Sequence, residues 1–214
     1  MIFNIPILLT YLRILAIPLM VVLFYLDYPL TTAVVFALAG FTDWADGYLA
    51  RRWGQESRFG AFLDPVADKL MVAVALILVV ESQSNAWVTI AAAIIVSREL
   101  VISALREWMA EMGKRASVAV SYIGKVKTGA QMWAILLMLV SPPGEMVANI
   151  GVALLYLASV LTLWSMFIYL KAAWPDLSKE MYNCFTPAST KPFAFCLKVN
   201  ALVVIVVNIP FPEA

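Results

Sequence analysis

The 214-residue sequence contains no histidine. General acid–base catalysis by imidazole is therefore excluded, and so are His-ligated metal sites. Cysteine is nearly as scarce. Cys184 and Cys196 both lie near the C-terminus and can supply neither a zinc cluster nor a Cys–His pair to the rest of the chain. Charge is the third shortage. Only 14% of residues are Asp, Glu, Lys or Arg, where a soluble globular domain carries about a quarter. The formal net charge of +1 offers no bulk attraction to nucleic acid. No basic n-region precedes the first apolar run and no small-residue cleavage site follows it, so the N-terminus does not read as a cleavable signal. There is no tandem repeat and no soluble domain.

What remains is apolar. Hydrophobic residues make up 63% of the chain, and the mean hydropathy is +0.88. The class is all-α integral membrane. A helix crossing ~30 Å of hydrocarbon needs about 20 largely apolar residues. Segments near 5–26, 30–52, 60–81, 86–111, 120–140 and 147–172 meet that requirement. Asn4 can cap the first, and Pro6 suits its first turn. Turn compositions separate the segments at 27–29, 54–57, 82–85, 113–115 and 141–144. Residues 181–214 differ. Their start has no helical period, and Leu202–Val207 is β-branched and too short to span. The expected division is a six-helix membrane catalytic domain over 1–175 and a C-terminal extension over 176–214.

The polar residues are concentrated. Asp43, Asp46, Gly47 and Ala50 follow i, i+3, i+4, i+7 and share one helix face. Gly60, Asp64 and Asp68 follow i, i+4, i+8 and form a second stripe. Turned toward each other, the two stripes would build one acidic pocket with small residues beside it. On a soluble helix such carboxylates are usually a solvated face. Here their flanks are apolar, and carboxylates at membrane depth mark a cavity and a function. Four negative charges at close quarters call for divalent cations, and carboxylate oxygens suit Mg²⁺, Ca²⁺ or Mn²⁺.

The spacing D-x2-D-G-x2-A-R-x8-G-x3-D-x3-D resembles the signature of the CDP-alcohol phosphotransferase family. Every fixed position matches: Asp43, Asp46, Gly47, Ala50, Arg51, Gly60, Asp64 and Asp68. The similarity runs from about residue 3 to about residue 175. It implies a bundle of six transmembrane helices with a cytoplasm-facing active-site cavity, in a bacterial inner membrane. It also implies the reaction, in which CDP-diacylglycerol gives its phosphatidyl group to an alcohol and CMP leaves. Breaking a pyrophosphate requires neutralising charge on both phosphates, which two ions ~3.5–4 Å apart would do. Asp43, Asp46 and Asp64 are the expected ligands of two Mg²⁺ or Mn²⁺ ions. Asp68 takes the general-base role by resemblance as well as geometry, with contact to the second ion left open. No Ser, Cys or His nucleophile is apparent, so direct displacement is preferred to a covalent intermediate. A homodimer with one site per protomer is also implied.

Gly47 and Ala50 lack bulk, so cytidine can lie close to the second helix. Packing by small residues explains them equally well. Arg51 can fork onto pyrophosphate oxygens, whereas Arg52 suits a charge that sets orientation. Gly60 permits close approach of backbone to ligand, and Thr42 can assist with base or ribose. A second cationic set follows: Arg98, Arg106, Lys125 and Lys127. It resembles family members whose acceptor is glycerol 3-phosphate, a dianion needing a cationic seat. Lys125 and Lys127 are two apart and point different ways on a helix. One of them can instead meet anionic head groups. Trp44, Trp53, Trp108 and Trp174 read as interfacial anchors. Thr10 and Arg13 fall in an opening that resembles P-N-x2-T-x2-R, although Ile7 stands where Asn is usual. Arg13 inside an apolar helix either snorkels or pairs within the cavity.

Cardiolipin, inositol-phosphate or serine acceptors are rivals within the family. A divalent-cation transporter is the rival from another class, but transport predicts carboxylates spread across the membrane depth. Lys and Arg indicate orientation. The loops near 27–30, 82–86 and 141–147 contain none, while Arg51, Arg52, Arg58, Arg106, Lys114, Arg115, Lys125, Lys127 and Lys171 lie toward the opposite ends. The core termini and the acidic pocket are therefore expected on the cytoplasmic side. A cysteine placed at Ser84 or Pro143 should label from outside intact cells, and one placed at Gln55 should not. The reverse pattern overturns the orientation.

Overall fold

In the computed structural model, residues 5–53, 58–111 and 122–185 are described, with side chains over 9–42, 63–107, 109 and 127–171. The described residues form six helices and no strand: α1 (Ile5–Tyr25), α2 (Pro29–Trp53), α3 (Arg58–Gln83), α4 (Ala86–Glu111), α5 (Tyr122–Val140) and α6 (Met146–Phe185). Each matches one expected segment. By length and composition alone, Ala86–Glu107 and Met146–Lys171 are apolar enough to cross a membrane. Shorter apolar stretches occupy Leu9–Tyr25, Pro29–Thr42 and Lys127–Val140.

The described turns are set by local chemistry. Pro29 opens α2, where its fixed φ fits and its missing N–H costs nothing. Asn85 caps α4: its side-chain oxygen accepts from the Trp87 amide at 3.0 Å. Asp27 and Ser84, at φ 58° and 45°, are the left-handed residues after α1 and α3, and Gly144, at φ 92°, turns the chain ahead of α6. The expected cap at Asn4 and the turns at 54–57 and 113–115 lie outside the described residues.

One boundary differs from expectation. α6 runs for 40 residues, through Pro175 and on to Phe185. The sequence over 181–185 shows no apolar period, yet it is helical. A helix already formed adds one hydrogen bond per further residue and needs no new nucleus, so it can continue through a stretch without apolar period.

The chain divides into two compact units. One comprises Met1–Val96 with Val126–Ser159, the other Ser97–Lys125 with Val160–Ala214. In the first, α1 packs on α2 and α3, which also touch each other. Its core joins Met20, Phe36, Met71, Val79, Ile95, Ile135 and Leu155. Polarity is inverted relative to a soluble protein. Arg13 is 1% exposed and Lys127 2%, whereas Leu15 is 66% and Trp133 62% exposed. Water would penalise such an apolar surface; a bilayer would not.

Close packing of α5 on α6 depends on Gly151. A Cβ there would fall 2.6 Å from Met138 Cγ and 3.1 Å from the Ala134 carbonyl oxygen. At Gly40 the obstacle is the flexible tip of Met132, 2.7 Å away. Gly151→Ala should therefore destabilise the detergent-solubilised protein by about 1–3 kcal/mol, read as a lower unfolding midpoint, and Gly40→Ala by much less. Equal shifts would refute this account.

Candidate active site

The acidic residues stand on two helices joined by a short connection. α2 is helical through positions 43, 46, 47, 50 and 51, and α3 through 60, 64 and 68. Both stripes are thus realised on helical backbone. The side chains of Asp43, Asp46, Gly47, Ala50, Arg51 and Gly60 lie outside those described, so their contacts are not. α3 ends at Gln83 beside the turn at 84–85, and Asp64 lies about 28 Å back along the helix at 1.5 Å per residue. The four aspartates therefore gather at one end of α2 and α3, next to the 54–57 connection, while Glu81 stands at the other end of α3 and accepts from Tyr25.

Asp64 and Asp68 are one turn apart and half-buried. The Thr10 hydroxyl on α1 donates to Asp64 Oδ1. Thr10 and Arg13, three residues apart, share one face of α1 and are both buried. Arg13 does not snorkel. It lines a cleft of about 230 Å³ between α1 and α2 together with Ala16, Leu38, Ala39 and Thr42. Thr42 donates to the Ala39 carbonyl at 2.8 Å, which leaves its oxygen lone pairs toward its surroundings. Pro65, directly after Asp64, withdraws one hydrogen bond from the α3 ladder at the site.

A divalent cation fits the described part of this arrangement. Asp64 keeps a second carboxylate oxygen beyond the one that Thr10 engages, and Asp68 adds oxygen donors one turn away. An all-oxygen set suits a hard cation. Among the described side chains no cluster of three or more ligating residues occurs; those of Asp43 and Asp46 fall outside them.

The cationic set divides between the two units. In the second, Arg98 is buried. Its Nη1 donates to Glu99 and its Nη2 to Ser165, each at 2.9 Å. The guanidinium carbons of Arg98 and Arg106 lie 5.9 and 5.8 Å from the centroid of one ring, that of Tyr169. Lys127, on α5, is buried in the first unit. The side chain of Lys125 lies outside those described. Sequence reasoning missed Ser165 and Tyr169. The available signal was a pair of polar residues at i, i+4 near the end of the apolar part of α6.

These features define an all-helical, membrane-type protein with large apolar side chains exposed and a few polar and charged ones buried among an apolar core. The chain belongs to the CDP-alcohol phosphatidyltransferase family, whose profile matches residues 3–164. Membership implies a metal-dependent phosphotransferase. The chain is 61% identical over 178 residues to the CDP-diacylglycerol–glycerol-3-phosphate 3-phosphatidyltransferase of Pectobacterium atrosepticum, covering 82% of this chain and 97% of that one. It is 60% identical to the protein of that name from Sodalis glossinidius, over 81% of this chain and 97% of that one. With the one from Salmonella choleraesuis the identity is 58%, over 82% and 97%.

Thr10 connects α1 to Asp64 through its hydroxyl. Thr10→Val keeps the shape and removes the donor. A hydrogen bond to a charged group contributes about 1.5–3 kcal/mol, so the Mg²⁺ concentration for half-maximal activity should rise roughly tenfold. An unchanged activation curve would mean that Thr10 only packs.

Proposed function

We propose that this chain transfers the phosphatidyl group of CDP-diacylglycerol to glycerol 3-phosphate, giving phosphatidylglycerophosphate and CMP. The observation that carries the reading is the eight-residue constellation from Asp43 to Asp68, carried on α2 and α3 at one end of the two helices. The relatives named above support the choice of acceptor.

Asp43, Asp46 and Asp64 would hold Mg²⁺ or Mn²⁺, which when bound supplies charge neutralisation to the pyrophosphate. Arg51 adds a fixed cation to the same phosphates. Gly47, Ala50 and Gly60 leave room for the cytidine, and Thr42 offers its oxygen to base or ribose. Asp68 accepts the proton of the acceptor hydroxyl. That oxygen forms its bond to the lipid-side phosphorus as the bond from this phosphorus to the bridging oxygen breaks. CMP leaves with that oxygen and the electron pair. Arg98, Arg106, Lys125 and Lys127 serve the acceptor's phosphate. Six helices cross the bilayer, and the site faces the cytoplasm, a reading supported by the one-sided distribution of Lys and Arg. The four aspartates, gathered at one end, argue against an ion path through the membrane.

The four aspartates separate the roles. Asn at 43, 46 or 64 should weaken metal binding, and excess Mg²⁺ or Mn²⁺ should restore part of the turnover. Asp68→Asn should keep metal and CDP-diacylglycerol bound yet lose roughly 10²–10⁴ in rate, the contribution of a positioned base. Added metal should not rescue it. If Asp68→Asn loses metal as fully as Asp43→Asn and high Mg²⁺ revives it, Asp68 is chiefly a ligand.

A further inference from the structure

We propose that Tyr169 and Ser165 on α6 are positioning residues that hold Arg98 and Arg106 in shape for the acceptor's phosphate. This inference rests on the reading of that cationic pair as the glycerol 3-phosphate seat. Arg98 and Arg106 are eight residues apart on α4, about 12 Å along its axis. Both guanidiniums nevertheless reach one buried ring, Tyr169, at 5.9 and 5.8 Å from its centroid. A ring face attracts cations through its quadrupole and carries no net charge. A carboxylate in the same place would hold the arginines equally well but would cancel the charge that an incoming phosphate requires. Glu99 pairs with Arg98 at 2.9 Å, and the ring adds no further negative charge to the two arginines.

Ser165 supplies direction. Its hydroxyl donates to the Thr162 carbonyl of its own helix at 3.0 Å. With the proton committed there, its oxygen accepts from Arg98 Nη2 at 2.9 Å. Ser165 and Tyr169 are four residues apart and share one face of α6. One face thus fixes the plane of Arg98 by a hydrogen bond and gathers Arg106 onto the ring. The arginines recognise the anion, and α6 sets where their forks stand.

The test measures CMP release with the full-length enzyme in detergent, with KM taken separately for each substrate. Tyr169→Leu should raise the glycerol 3-phosphate KM about tenfold, the loss of stacking for two cations, while the CDP-diacylglycerol KM stays within about twofold. Tyr169→Phe keeps the ring and should return the acceptor KM to within about threefold of wild type. Ser165→Ala should raise the same KM by about threefold to tenfold, and it decides the matter if Tyr169→Leu does not accumulate in the membrane. Arg106→Ala is measured alongside. If it leaves the acceptor KM unmoved, the acceptor-site reading falls and takes this inference with it. If Arg106→Ala raises that KM but Tyr169→Leu and Ser165→Ala do not, the inference alone is overturned. A uniform loss of kcat with both KM values unchanged, or a Phe variant no better than Leu, also overturns it.

Discussion

Desolvating a charge among apolar helices is costly, and this constraint arranges the rest of the molecule. The outer faces of the helices are given over to leucine, isoleucine, valine and tryptophan, while Arg13, Arg98, Lys127, Thr10, Thr162 and Ser165 turn inward. A group buried in this way must be held by others. Arg98 shows the pattern: one ion pair, one hydrogen bond and one aromatic face engage a single side chain. The geometry that satisfies such a group also determines where its charge points.

The first helix illustrates a division of labour. α1 contributes no carboxylate, yet it packs on both α2 and α3 and sends Thr10 to Asp64. Its buried Arg13 lines the α1–α2 cleft beside Thr42. A carboxylate on a mobile side chain makes a poor ligand, because ordering it costs entropy at each binding event. A neighbouring hydroxyl that orders it in advance removes part of that cost. α6 meets the arginines of α4 with a hydroxyl and a ring that carry no charge of their own. In both places neutral groups contact charged ones, with Glu99 the charged partner of Arg98.

Much was legible in the chain before folding. Six apolar segments of spanning length, interrupted by turn residues, predicted six helices, because the hydrocarbon thickness dictates segment length. The i, i+3, i+4, i+7 stripe from Asp43 and the i, i+4, i+8 stripe from Gly60 predicted shared faces, because helical periodicity is local. Cation-free turns at 27–30, 82–86 and 141–147 carried a signal of orientation for the same kind of reason. The extent of α6 was not legible: Asp176, Ser178, Lys179 and Glu180 interrupt its apolar run before the last residues, and continuation of an existing helix leaves no apolar period to read.

The sequence by itself determined the element types, the place of each helix in the chain and which residues share a stripe, since these depend on neighbours within a few positions. Tertiary structure alone decided which stripe meets which partner. Thr10 and Asp64 are separated by 54 positions and Arg98 and Ser165 by 67, and no local pattern marks either pair. Their meeting depends on how whole helices pack, with side-chain volumes and rotamers satisfied together over many residues. The same packing sorted the alternatives for Arg13, drawing it into the α1–α2 cleft where the sequence had allowed it to reach outward. Helical periodicity follows from the chemistry of one turn, whereas the pairing of distant polar groups follows from the burial of the whole bundle.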